Sequence, residues 1–217
     1  MQEFLEKVTA FVTRHGPRGL ELLLFEHPQA GVQIPAGTCD PALGGAYGGE
    51  TPEQAALREV LEEAGLGWLV VRALIGQRDE LPPGATHVVA RQATLYSRPD
   101  PASFDWASLR RGIGVRLLRW EAGYAQVTYE EGDRYPDPRY VSYQLTGWLE
   151  EDALARANRR YFFHLAAPAN APEPAPLRTD GHLFRPFWAP FDHLPEIIAP
   201  QRAWLDFVTQ ELRYEFG

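Results

Sequence analysis

Cysteine, long apolar runs and clustered positive charge are all scarce in this sequence, and each shortage closes off a class of protein. Cys39 stands alone and cannot form an internal disulfide, so a stapled secreted scaffold is excluded and a reducing cytoplasm is the expected setting. No apolar stretch approaches the roughly 20 residues that a membrane helix requires. The opening segment, MQEFLEKVTAFVTR, carries acids and lacks the basic start, apolar centre and small-residue cleavage site of a signal peptide. Basic residues number 21 against 29 acidic ones, for a formal charge of −8, and no basic cluster is longer than Arg110-Arg111 or Arg159-Arg160. Long polyanions are bound through basic patches, so a nucleic-acid polymer is not an expected partner, and neither is a membrane. Small phosphorylated ligands remain open, because a divalent cation can join an acidic site to a phosphate.

What is present is ordinary globular material: 217 residues, 45% apolar and 23% charged, enough for one sizeable core and a small second unit. Val8–Arg14 and Leu20–Phe25 read as strands around a Gly/Pro turn. Gly37 to Gly49 holds five glycines in thirteen residues and reads as loop. Leu66–Asp79 and Ala85–Tyr96 read as extended. From about 99 to 157 the texture changes to short strand-like pieces, Val115–Trp120, Tyr124–Tyr129 and Tyr140–Leu149, separated by turns. Tyr161–Leu165 and Phe184–Phe191 read as strands. Pro200–Tyr214 reads as a closing helix with Trp204, Phe207, Val208 and Leu212 on one face.

Thr51–Gly65 is the clearest helix. Thr51 suits the N-cap, Pro52 the first helical position, Gln54 a capping box, and Gly65 a left-handed stop. At about 100° per residue, Leu57, Val60, Leu61 and Ala64 form an aliphatic face, while Glu59, Glu62 and Glu63 lie opposite. An acidic helical stripe is ordinarily a solvated surface. Three carboxylates within one turn nevertheless repel one another, and a hard divalent cation relieves that repulsion. Arg58 is placed to pair with Glu62 one turn on.

The upstream residues decide between these readings. Gly44-x5-Glu50-x7-Arg58-Glu59-Val60-x-Glu62-Glu63-x-Gly65-Leu66 resembles the Nudix box at every fixed position. The resemblance implies an α/β fold: a Nudix α/β/α sandwich with a mixed sheet, interrupted by a small all-β insertion. Residues 1–98 and 158–217 would then be the Nudix domain and 99–157 the insertion. The resemblance also implies Mg²⁺, with Mn²⁺ as a substitute, held by Glu59, Glu62 and Glu63, with Glu50 as a further contact. Arg58 orients the neighbouring glutamates. Glu62, Glu59 and Arg58 are the catalytic candidates, one glutamate or a water it activates being the general base. Gly44 and Gly65 serve backbone geometry. In many relatives a proline-glycine pair abuts the first glycine of the box, whereas here Pro35-Ala36-Gly37 is set apart from Gly44 by Thr38–Leu43. The metal-facing carbonyl is therefore left between Ala36-Gly37 and Leu43-Gly44.

The implied activity is hydrolysis of the diphosphate linkage in a nucleoside diphosphate joined to another moiety. The alternative is a nucleotide-sensing module without catalysis. ADP-ribose is the first substrate to try, because Ile34-Pro35-Ala36-Gly37 and Pro82 look like features of ADP-ribose pyrophosphatases. Pro82-Pro83 also reads as a simple turn. The 99–157 stretch is similar to small bacterial barrels of the Src-homology type, and a homodimer is left open. Glu173, Asp180 and His182 are candidates for a distal base, and Glu130-Glu131 for an additional one. His164, Phe184, Phe187 and Trp188 read as core side chains, Cys39 as a bystander, and no residue is assigned to substrate binding.

Overall fold

In a computed structural model of the protein, residues 1–17, 19–43, 49–133, 139–179 and 181–214 are described. By contacts the chain divides into one compact unit of Glu6–Gln77 with Arg160–Gly217, and another of Met1–Leu5 with Arg78–Arg159. The stretch read from sequence as a β insertion falls inside the second of these. Among the described residues no helix is long and apolar enough to cross a membrane.

The first unit is α/β. Its strand order is β13(Leu177–Thr179), β14(His182–Pro190), β2(Gly19–His27), β1(Gln2–Gly16) and β12(Leu154–Ala166), the last two continuing into the other unit. Short β3(Gly31–Gln33) adds to β2, and β4(Ala36–Thr38) adds antiparallel to β1 with Val8 opposite Gly37 and Thr9 opposite Ala36. Side chains of β1 alternate between two cores, as a strand buried on both faces requires. Val8, Ala10 and Val12 join Leu23, Phe163, Leu165 and Trp188 beneath α1(Pro52–Ala64). Phe11 joins Leu22, Leu24, Phe162 and the buried face of α2(Gln201–Tyr214). One helix on each side of the sheet is the expected sandwich.

Two details of the helices differ from expectation. On α2, Leu205 is buried beside Trp204 and Val208, whereas Phe207 stays half exposed with its ring 5.4 Å from that of Phe162; the side chain of Leu212 lies outside the described residues. On α1, the buried residues are Ala55, Ala56, Val60 and Ala64, while Leu61 is 52% exposed. The helix is thus turned by roughly a quarter revolution from the face that leucine spacing suggests. Alanines let its backbone come close to the sheet, and the turn swings Glu59 and Glu63 inward.

The second unit is a sheet ordered β6(His87–Val89), β9(Gly114–Glu121), β10(Tyr124–Gly132), β11(Val141–Glu150), β7(Ala93–Tyr96) and β8(Asp105–Leu109). Ala122 and Gly123, with φ of 51° and 80°, make the two-residue hairpin between β9 and β10, the geometry that matches strand twist. Leu95, Leu109, Val115, Val127 and Leu149 fill its core. Pro82 accepts a backbone bond from Ala85 at 3.0 Å, the turn expected of Pro82-Pro83.

Candidate functional site

The start of α1 is built as the sequence implies. The Thr51 hydroxyl accepts from the Gln54 N–H at 3.2 Å, and the Gln54 side chain accepts from the Thr51 N–H at 2.9 Å. Gly65, at φ 70°, ends the helix and donates to the Leu61 carbonyl at 3.0 Å. Just upstream, Asp40 and Glu50 close the neck of the glycine-rich loop. The Glu50 N–H donates to the Asp40 carbonyl at 3.0 Å, and the Asp40 N–H donates to Glu50 Oε2 at 2.9 Å. Gly44, inside that loop, lies outside the described residues.

Arg58 is the hub of the acidic set. Its Nε and Nη2 grip the two oxygens of buried Glu50 at 2.8 and 2.9 Å. Its Nη1 lies 2.9 Å from Glu59 Oε1 and 2.8 Å from Glu62 Oε2, and its Nη2 also donates to the Thr38 carbonyl at 3.2 Å. Such a bidentate fork is a geometry only arginine supplies. Glu63 points the other way round the helix and accepts from the Ala36 N–H at 3.0 Å. Both β4 neighbours of Gly37 therefore hold the helix, one through its N–H and one through its carbonyl.

Gly37 itself shows why the residue between them has no side chain. A Cβ built there would overlap the Glu59 carboxylate. Glu59 lies against backbone, and this burial pushes its carboxyl above the ordinary range even though Arg58 and its hydrogen bond pull the other way. Glu50 shows the opposite balance. Burial would raise it, but the hydrogen bonds from Arg58 and from the Asp40 N–H outweigh that and hold its carboxyl below the ordinary range. Arg58 is held firmly protonated, chiefly by its bond to Glu50.

Sequence reasoning thus placed Glu50, Arg58, Glu59, Glu62 and Glu63 on one short stretch, and the structure gathers them around one guanidinium and one strand. It named the Ala36-Gly37 backbone only as a possible metal-facing carbonyl and missed the Ala36 N–H, the Thr38 carbonyl and the Asp40 backbone as partners of the acidic set, because main-chain groups leave no mark in residue identity. The oxygen-only donors suit a hard divalent cation such as Mg²⁺. As they stand, the carboxylates are held by Arg58 and Ala36; among the described residues no three His, Cys, Asp or Glu side chains converge on one point.

The remaining candidates are found elsewhere. His164 is buried, with Nε2 2.8 Å from the Thr13 hydroxyl. Trp188 is buried beneath the Arg14 guanidinium, 4.3 Å from its ring centroid, and Phe184 stacks on Phe25 at 4.9 Å. Cys39 is buried in the core beneath α1. Glu173 is bound by Arg14, and the His182 ring lies 4.8 Å from that of His27. Asp180 lies outside the described residues. Glu130 accepts from Gln144 at 3.1 Å within the second unit.

Comparison with known proteins agrees with the box. Residues 5–101 match the family model described as the NUDIX domain, and that segment is similar to the Nudix family. A similar solved structure is the NUDIX domain of Shewanella oneidensis NrtR complexed with ADP ribose. It is 12% identical over 98% of this chain and 90% of that one, with a TM-score of 0.41. No curated protein matches the chain.

Proposed function

We propose that the protein is a Mg²⁺-dependent hydrolase of diphosphate linkages, acting on a nucleoside diphosphate joined to another moiety. The observation that carries this reading is the collection of Glu50, Glu59, Glu62 and Glu63 about Arg58 and β4. A surface stripe of acids has no need of an arginine clamped onto a buried glutamate.

Glu59, Glu62 and Glu63 would hold the cation. When bound, Mg²⁺ (or Mn²⁺ in its place) supplies neutralisation of the diphosphate oxygens and a more acidic water. Glu50 has both oxygens committed to Arg58 and Asp40, so its part is to position Arg58. Arg58 in turn sets the rotamers of Glu59 and Glu62. Glu62, half exposed, is the carboxylate that swings most readily toward a ligand. Glu59, made more basic by burial, is suited to accept a proton from the attacking water. Gly37, lacking a side chain, leaves room for Glu59. Water attacks one phosphorus in line, and the products are a nucleotide and a phosphorylated fragment.

The test is incubation of the full chain with Mg²⁺ and a panel of ADP-ribose, dinucleoside polyphosphates, NADH and nucleoside triphosphates, with assay of phosphorylated products. ADP-ribose is the first compound to try. Turnover lost in Glu62→Gln and Glu63→Gln supports the hydrolase. Tight binding with no turnover of any compound replaces it with a nucleotide-binding module.

A further inference from the structure

A second feature of the α/β unit is independent of the acidic helix. A cavity of about 550 Å³ opens at the far end of β1, lined by Thr13, Arg14, His15, Arg72 and His164. The acidic helix sits beside Val8 and Thr9 through β4. Thr13 is four residues further along the strand, about 13 Å away. In a chain with a formal charge of −8, every ionisable residue lining this cavity is basic.

The lining is built rather than incidental. The side chain of Arg14 is 2% exposed, and it is fixed from behind by Glu21 Oε2 at 2.7 Å, by the Ala171 carbonyl at 2.8 Å and by Glu173. These bonds use three of the roughly five N–H donors a guanidinium carries and hold a buried arginine rigidly at the cavity wall. Glu21 and Glu173 offset its charge. The side chain of Arg72, exposed at the cavity, makes no ion pair or hydrogen bond among the described residues. Its charge is the one the fold leaves uncompensated here. The Thr13 hydroxyl and the His164 ring, hydrogen-bonded to each other at 2.8 Å, add polar atoms at the wall. Ala166, Ala167 and Ala169 complete the wall without bulk.

We infer that this cavity is a second ligand site, taking a phosphate group either free or as the phosphomonoester of a small organic molecule. A planar carboxylate is satisfied by one bidentate arginine. Arginines and ring or hydroxyl groups set around a wider cavity suit the several oxygens of a tetrahedral anion better. The volume lies in the range of small-molecule sites, and the alanine wall leaves room for an organic portion beside the phosphate.

The experiment is calorimetric titration of the full chain with AMP and, separately, with inorganic phosphate. Chelator is present throughout, so that the acidic helix cannot recruit either anion through a metal. The expected result is saturable binding of at least one probe. Arg72→Ala should weaken it about tenfold or more, Arg72→Lys should restore part of it, and Glu62→Gln should leave it unchanged. The side chain of Arg72 has no partner to lose among the described residues, so its variants fold as the parent does, which circular dichroism checks. Tighter binding of AMP assigns a phosphomonoester, and tighter binding of inorganic phosphate assigns the free ion. No saturable binding of either probe, equal binding by Arg72→Ala, or a matching loss in Glu62→Gln each overturns the inference. None of these outcomes bears on diphosphate hydrolysis, which is assayed with Mg²⁺ present.

Discussion

In the unit of Glu6–Gln77 and Arg160–Gly217, Arg14 and Arg58 meet carboxylates largely away from water, while Arg185 and Arg202 meet theirs at the surface. In the unit of Met1–Leu5 and Arg78–Arg159, arginines and carboxylates meet at the surface. The Arg14–Glu21 pair has side chains 2% and 0% exposed, and Arg58 holds Glu50 at 21% and 5%. In the other unit Arg91 holds Glu150 at 44% and 46%, and Arg119 meets Glu121 at 60% and 50%. Exposed pairs are worth little and are screened by salt, whereas removing one member of a buried pair strands a charge. The lesson is where to look for chemistry. A fold that takes charges out of water and ties them to backbone has done so at considerable desolvation cost, and in this chain both the acidic helix and the basic cavity lie in the unit that does it.

That contrast can be broken in several ways. The largest expected effect is on catalysis: Glu62→Gln should lower the Mg²⁺-dependent hydrolysis rate by about 10²–10⁴-fold, with the far-ultraviolet circular dichroism unchanged. Next comes stability. Arg14→Ala removes the guanidinium that buried Glu21 pairs with and should cost about 3–5 kcal/mol in urea unfolding, with Arg58→Ala somewhat below it because Arg58 is partly exposed. Gly37→Ala should cost about 1–3 kcal/mol through overpacking and, by displacing Glu59, should reduce turnover more than stability; equal stability and full activity would remove Gly37 from the site. At the small end, Arg91→Ala should cost about 1 kcal/mol or less and lose even that at high salt. A cost for Arg91→Ala equal to that for Arg14→Ala would erase the difference between the units.

Acid pH sharpens the same comparison. The carboxyl of Glu50 is held below its unperturbed 4.5. Its contribution to stability is therefore full above that value and is lost as pH falls through its lower folded value. Glu59 has the opposite sign. Its raised carboxyl takes up a proton more readily when folded than when unfolded, so its ionisation opposes folding as pH rises. Urea midpoints measured from neutral pH downward should fall less steeply at the acid end in Arg58→Ala than in the parent, because Glu50 then loses its special hold. Parallel pH curves would contradict that assignment.

Much of the acidic site was legible in the residues themselves. Thr51, Pro52, Gln54 and Gly65 bracket α1, and the spacing from Glu50 to Glu63 places its acids. The rotation of α1 was not legible. Leucine spacing weights large side chains, yet the sheet accepts Ala55, Ala56, Val60 and Ala64 because small residues permit close approach. Nor was the role of Gly37, which depends on Glu59 arriving from elsewhere in the chain. In the second unit β8(Asp105–Leu109) escaped notice because only Leu109 of its five residues is buried, leaving little alternation to read. The cavity at the end of β1 combines residues from 13 to 169, and no local pattern announces such a meeting.

The most direct measurement is calorimetric titration of Mg²⁺ into the full chain and into its Glu59→Gln/Glu62→Gln double variant. Saturable binding by the parent, weakened about tenfold or more in the double variant, is the expected result. Absence of Mg²⁺ binding by the parent, or equal affinity in the double variant, would contradict the claim that these glutamates are gathered to hold a divalent ion.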